Sequence, residues 1–269
     1  MVLAIDVGGT KTLLAVFTQD GELKQSVKFP TPPDYNDFLL ELAKNVDSLT
    51  TNKFMICVTA LPGRINRSRG IAISFGNLTW SNLPIVDNLE KVVGCKVLIE
   101  NDANLAGLSE ANEAQAKKYN KVIYITVSTG IGCGIVVGGK LDPEELDAEV
   151  GHMLLEYGDK LQRWEEFASG KAIVARTGKR AADIPAGDPL WYSIARNIAI
   201  GLINVVATQT PDCIVIGGGV GSHFAKFEEH LKEEMRLYED KMLRVPPILP
   251  AVRAEEAVIY GAYLMAKQN

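Results

Sequence analysis

Apolar residues in this chain come in short runs with abrupt polar ends, a pattern that predicts alternating strands and helices. Residues 2–6 (VLAID) and 12–17 (TLLAVF) read as buried strands. TQDGE at 18–22 carries an Asp-Gly hairpin signal and leads to a third strand near 23–28. FMICVTAL (54–61), CKVLIEN (95–101), the segments 122–127 and 133–137, and CIVIGGGVG (213–221) supply further strands. The apolar spacing predicts amphipathic helices near 35–49 and 84–93, a long apolar helix around 190–208, a charged one around 223–239 and a terminal helix in EEAVIYGAYLMAKQ. The stretches near 62–82 and 142–162 read as loops.

One unit occurs twice. Strand, Gly/Thr turn, strand and Gly turn run through the first residues, and again through VIYITVSTGIGCGIVVGGKL at 122–141. Internal duplication at that distance predicts an α/β protein of two related domains facing each other across a cleft. The boundaries follow from the duplication alone: 1–107 for the first domain and 108–256 for the second, with the terminal helix 257–269 packing back on the first.

Composition narrows the function. With 269 residues, 47% of them hydrophobic and 23% charged, the chain is an ordinary globular protein long enough for two domains. A net charge of −5 argues against broad attraction to nucleic acid or an anionic membrane. Cys57, Cys95, Cys133 and Cys213 are scattered without a C-x-x-C spacing, so they read as reduced, mostly buried thiols. The first residues lack a basic region and a signal-length apolar run, and IAIGLINVVA (198–207) is too short to span a bilayer. A cytoplasmic location is the expectation.

The chemistry gathers after the strands, where ligands bind in open α/β sheets. AIDVGGTKT (4–12) is not the common phosphate loop, which needs Gly, four residues and then Gly-Lys-Ser/Thr. The nearest match runs from Gly134 to Gly139-Lys140 and ends in Leu141. Yet Gly8 and Gly9 let backbone amides approach an anion, and Thr10 and Lys11 add donors. Asp6 would repel phosphate unless a cation stood between them, which points to Mg²⁺. Ser128-Thr129-Gly130-Ile131-Gly132 offers matching donors from the second domain. Either turn alone fits a tight hairpin; two in one duplicated frame favour phosphate. Gly217-Gly218-Gly219 suits close packing against adenine or ribose, and suits a plain strand-to-helix turn equally well.

IENDAN (99–104) ends another apolar strand. Glu100 there could be solvated and Asp102 could cap the following helix. Facing a cleft, Asp102 could instead accept a proton from a substrate hydroxyl, with Asn101 bonded to the same substrate. DAEVGHM sets Glu149 three residues from His152, and WEEFASG offers Glu165 and Glu166, whose plain reading is a solvated face. Neither spells a zinc-protease motif, and the three histidines form no Ser-His-Asp arrangement.

D-V-G-G-T-K, P-G-R, E-N-D-A-N, S-T-G-I-G-x-G, E-V-G-H, W-E-E-F-A-S-G and I-G-G-G-V, in that order, resemble the ROK family over essentially the whole chain. That family holds bacterial-type glucokinases, related hexose and N-acetylhexosamine kinases, and sugar-responsive repressors. The resemblance implies the actin-like sugar-kinase fold of two ribonuclease-H-like domains around a cleft that closes on its substrates. It implies a catalytic base at Asp102 and sugar contacts from Gly63, Arg64, Asn77, Asn101, Glu149, His152 and Glu165. It places ATP phosphates on Gly8, Gly9, Thr10, Lys11, Thr129 and Gly130, adenosine on Gly217 and Gly218, and Mg²⁺ on Asp6. The activity it implies is transfer of the γ-phosphoryl of ATP to a hexose, glucose first. Fructose, mannose, N-acetylmannosamine and N-acetylglucosamine are alternatives, and a sugar-sensing regulator is the competing class. Such repressors carry a DNA-binding segment ahead of the first glycine turn, which starts here at residue 8. The resemblance is compatible with a homodimer. Many members also carry a C-x-C-G-x-x-G-C zinc motif after the Gly-His; MLLEYGDKLQRWEEFASG has no cysteine, so the expectation is no structural zinc, with Glu156 or a nearby carbonyl orienting His152.

Overall fold

The computed structural model describes residues 1–51, 53–76, 78–113, 115–240, 243–253 and 256–269. The chain divides into two compact units, Met1–Ser109 with Glu256–Asn269, and Glu110–Glu255.

In the first unit, β1 (Val2–Val7), β2 (Lys11–Phe17), β3 (Leu23–Pro30), β4 (Ile56–Leu61) and β8 (Val97–Asn101) form a sheet in the order β3-β2-β1-β4-β8. β1, β4 and β8 run parallel, while β2 lies antiparallel to both of its neighbours. Both faces of β1, β2 and β4 are covered, which is why those strands are apolar at successive positions, whereas the edge strand β3 alternates. Leu3, Ile5, Leu14 and Val16 face α1 (Tyr35–Asp47) and α2 (Ile85–Val93), whose Phe38, Leu42, Leu89 and Val93 recur at helical spacing. Asp34 starts α1 by accepting the Asn36 and Asp37 amides at 2.8 and 3.1 Å. On the other face, Val2, Ala4, Ala15 and Phe17 meet Ile259, Ala262 and Tyr263 of α9 (Ala257–Gln268). Gly261 lets α9 lie directly on α3 (Asp102–Ala111); a Cβ there would fall 1.8 Å from the Leu105 carbonyl oxygen.

The second unit repeats the plan. β9 (Lys121–Val127), β10 (Ile131–Val137), β11 (Lys140–Leu141), β14 (Cys213–Gly217) and β15 (Ile248–Pro250) order as β11-β10-β9-β14-β15, with β10 antiparallel and β14 and β15 parallel to β9. Strand for strand this is the first sheet again, so the duplicated unit extends beyond its first hairpin. The core helix α6 (Leu190–Gln209) packs Ile194, Ile198, Leu202 and Val205 against this sheet. By length and hydropathy (1.4) α6 alone among the described residues could cross a membrane, but 56% of that window is buried inside the protein. Trp164, fully buried, lies on Gly201 of α6 and donates Nε1–H to the Asn197 carbonyl at 3.1 Å.

Three segments differ from the sequence reading. Residues 62–82 hold a three-stranded sheet of β5 (Ile65–Asn66), β6 (Ile71–Phe75) and β7 (Leu78–Leu83). The 142–162 stretch contains a 3₁₀ turn at Val150–His152 and a hairpin of β12 (Leu154–Glu156) and β13 (Leu161–Arg163). Strands this short leave no run long enough to read by periodicity. The charged helix near 223–239 is broken: a 3₁₀ turn at Phe224–Lys226 precedes α8 (Glu228–Arg236). Phe224 and Phe227 are both buried and meet edge to face at 5.4 Å, and that burial interrupts the helix.

Candidate active site

In the first unit the sequence-selected residues collect at the C-terminal ends of β1, β4 and β8. Residues 8–10 form the tight turn joining β1 to β2, closed by the Gly8 amide donating to the Lys11 carbonyl at 3.0 Å. A Cβ on Gly8 would sit 2.8 Å from that oxygen, so the turn requires glycine there. Thr31 locks the turn from outside. Its hydroxyl donates to the Gly8 carbonyl at 2.8 Å, its amide donates to the Thr10 carbonyl at 3.0 Å, and Thr12 Oγ1 lies 2.9 Å from its Oγ1. Thr10 and Lys11 stay exposed beside the turn.

Asp6 precedes the turn. Burial pushes its carboxyl up to about 7, repulsion from Asp102 adds to the rise, and Lys28 opposes it. Asp6 and Asp102 are therefore electrostatic neighbours at one end of the sheet. Hard carboxylate oxygens fit Mg²⁺, which takes one or two carboxylates and completes its shell with other oxygen ligands.

β8 delivers Asn101 and Asp102. Asn101 Oδ1 accepts the Ala103 and Asn104 amides at 2.8 and 3.4 Å, capping α3, and its Nδ2 donates to the Gly63 carbonyl at 3.2 Å. The capping role considered for Asp102 thus falls mainly to Asn101, although Asp102 Oδ1 also accepts the Ala103 amide at 2.8 Å. Gly63 has φ +93°, and a Cβ there would meet the Ser74 carbonyl at 2.6 Å. Arg64 beside it is exposed, and Asn77 lies outside the described residues.

Glu100 corrects the reading that it could be solvated: it is 1% exposed. Arg67 grips it with Nε–Oε2 at 2.8 Å and Nη2–Oε1 at 2.5 Å. Asn104 Nδ2 and the Asn101 amide donate to the same Oε1 at 2.8 and 2.7 Å. Arg67 was hidden in the polar stretch NRSRG, where nothing separates a buried arginine from solvated ones.

In the second unit, Ser128–Gly130 form the corresponding turn, with the Ser128 amide donating to the Gly130 carbonyl at 2.9 Å. Glu149, His152 and Glu165 come together beside it. His152 Nε2 lies 3.4 Å from Glu165 Oε1. Burial raises the pKa of Glu149, with His152 lowering it and Glu165 and Asp147 raising it further. Glu156, expected to orient His152, is instead exposed on the β12–β13 hairpin, because the strand turns its side chain outward; Glu165 takes the imidazole contact. The hairpin is anchored where Tyr157 stacks on Phe167, centroids 4.3 Å apart and planes at 4°.

A cavity of about 670 Å³ opens next to Ser128 and Thr129, walled by Gly170, Val174, Ala175, Ala181, Gly219 and Val220, with Lys171 and Arg180 also lining it. The three glycines at the end of β14 differ in their surroundings. A Cβ on Gly217 would strike Tyr124 at 2.4 Å, and one on Gly218 (φ +81°) would strike Thr126 Oγ1 at 2.5 Å, so both pack closely against β9. Gly219, one residue on, faces open space and lines the cavity instead.

The ROK family profile matches residues 2–269. The chain belongs to the ROK family. A glucokinase of Streptomyces coelicolor is 27% identical over 310 residues, covering 100% of this chain and 98% of the relative. An N-acetylmannosamine kinase of Escherichia coli is 30% identical over 292 residues, covering 98% of each. The crystal structure of a ROK family glucokinase from Streptomyces griseus with glucose and AMPPNP superposes with TM-score 0.82 at 25% identity, covering 100% of this chain and 99% of that one. With these ROK relatives goes the actin-like α/β fold, whose repeated sheet order is the one described above.

Proposed function

We propose that the protein is an ATP-dependent hexose kinase, with glucose as the first candidate acceptor. The observation that carries this is the convergence of Asp102 and Asp6 beside the first glycine turn, where an acid is set among donors suited to phosphate. Asp102 would take the proton of the attacking sugar hydroxyl as the oxygen–phosphorus bond forms and the bond from the γ-phosphorus to the bridging oxygen of ADP breaks. Proton transfer can come late in a loose phosphoryl-transfer transition state, so Asp102 need not be a strong base. Mg²⁺, when bound, supplies charge neutralisation at the phosphates, and Asp6 is the residue that would hold it. The Gly8–Lys11 and Ser128–Gly130 turns would offer amides and side-chain donors to phosphate oxygens. Small apolar walls at Val174, Ala175 and Val220 suit a flat base, and Gly219 allows its close approach.

Glu149, His152 and Glu165 would hold sugar hydroxyls, joined by Gly63, Arg64 and Asn101. His152 needs no zinc in this reading: the 3₁₀ turn Val150–His152 and Glu165 fix its place. Relatives named for different sugars lie at similar identity, so the scaffold alone does not select the acceptor. Coupled ADP release with MgATP and glucose, fructose, mannose, N-acetylmannosamine or N-acetylglucosamine tests the proposal. Sugar-dependent turnover is expected with at least one, glucose fastest; ADP release indifferent to every sugar would refute it.

A further inference from the structure

The phosphate turn of the second unit is held at several points by the segments that carry the sugar-binding candidates. The Ile131 amide donates to Glu165 Oε2 at 3.3 Å, while Glu165 Oε1 lies 3.4 Å from His152 Nε2. Glu165 therefore spends one oxygen on the turn and the other on the imidazole. Five residues on, the Gly170 amide donates to the Ser128 carbonyl at 2.6 Å. On the other side, Gly151, directly before His152, packs so closely that a Cβ would fall 2.1 Å from the Ile131 carbonyl oxygen. Gly130 completes the arrangement, since a Cβ on it would meet Glu165 Oε2 at 2.7 Å.

We propose that Glu165 is a positioning residue for the phosphate turn as well as a sugar contact, so that nucleotide binding and the state of His152 are energetically coupled through one carboxylate. A nucleotide phosphate drawing on the turn's amides shifts the Ile131 amide. Glu165 follows, and its other oxygen moves relative to His152. By reciprocity, a sugar that engages Glu165 and His152 orders the turn for phosphate, which ties ATP chemistry to the presence of an acceptor. The inference rests on the kinase reading for the identity of its two ligands. It adds a link that the roles of the separate residues do not contain.

Gly130→Ala is the sharpest probe. Gly130 is outside the positive-φ region, and the atom its methyl would strike is the end of a flexible side chain, so the fold survives while the carboxylate is pushed off the turn. Glu165→Ala cuts the same link from the other end. The readout is the ring ¹H–¹³C NMR signals of His152, one of three histidines in the chain, followed as Mg²⁺-AMPPNP is added without sugar. Calorimetry on the same samples reports nucleotide binding. In the wild-type protein the His152 signals shift at saturation. In both variants that shift is lost at AMPPNP concentrations that calorimetry shows to be saturating for each protein. Wild-type signals indifferent to bound AMPPNP, or a shift that persists in both variants, would overturn the coupling and leave the kinase reading standing. No AMPPNP binding to the wild-type protein would remove the kinase reading, and the coupling with it.

Discussion

Asp6 sits opposite Leu13 on β2, which sits opposite Lys28 on β3, so a carboxylate and an ammonium share one face across three strands. Lys28 does not offset what burial and Asp102 impose, and the Asp6 carboxyl is held at about 7 rather than 3.8. The sign of the consequence is fixed. A carboxyl that binds its proton more tightly in the folded than in the unfolded state contributes a stability loss that grows as pH rises from about 4 to about 7, then levels off. Asp6→Asn should therefore be more stable than the wild-type protein at pH 8 without metal, by a few kcal/mol at most, and the gain should vanish near pH 4. The same variant should lose most of its Mg²⁺-dependent turnover. Denaturant melts at the two pH values check the first part, and a variant less stable than wild type at pH 8 would contradict it.

Among the elements, those with long apolar runs were legible from sequence. β1, β2, β4, β9, β10 and β14 are buried on both faces, and α1, α2 and α6 repeat apolar residues at helical spacing. The small sheet of β5–β7 was not, because IN and IAISF are short and polar-flanked. Of the candidate site, the glycine turns and the END stretch could be read because they interrupt strong strands. Thr31, Lys28 and Arg67 could not: each acts through a partner distant in sequence, 23 residues away for Thr31 and Gly8 and 33 for Arg67 and Glu100. The Arg67–Glu100 pair pins the β4–β6 segment to the start of α3, next to Asn101 and Asp102. Removing one partner strands a buried charge, so Arg67→Leu should cost about 3–5 kcal/mol. The double substitution Arg67→Leu/Glu100→Leu should cost less than that single one. Chemical denaturation of wild type, both single variants and the double variant measures this directly. Additive losses, with the double variant worst, would show that the pair does not act as a unit.

At the scale of the whole molecule, two copies of one sheet order have been given different chemistry at equivalent strand ends. The first carries acids, Asp6 after β1's apolar run and Asp102 after β8's. Both carry a turn of glycine and hydroxyl residues, Gly8–Thr10 and Ser128–Gly130, and in the second a cavity opens beside Ser128 and Thr129. Duplication explains the shared scaffold, and divergence at the loops explains the different side chains at equivalent strand ends. In the proposed kinase Asp102 takes the proton of the acceptor hydroxyl, which makes it the central residue. The most direct test is ³¹P NMR of MgATP with the acceptor sugar that gives turnover, comparing wild type with Asp102→Asn. Wild type should convert ATP to ADP and a sugar phosphomonoester. In Asp102→Asn the rate should fall by on the order of 10²–10⁴-fold while sugar affinity is largely kept. Near-normal phosphomonoester formation by Asp102→Asn, or ATP consumed by wild type only to inorganic phosphate, would contradict the proposed mechanism.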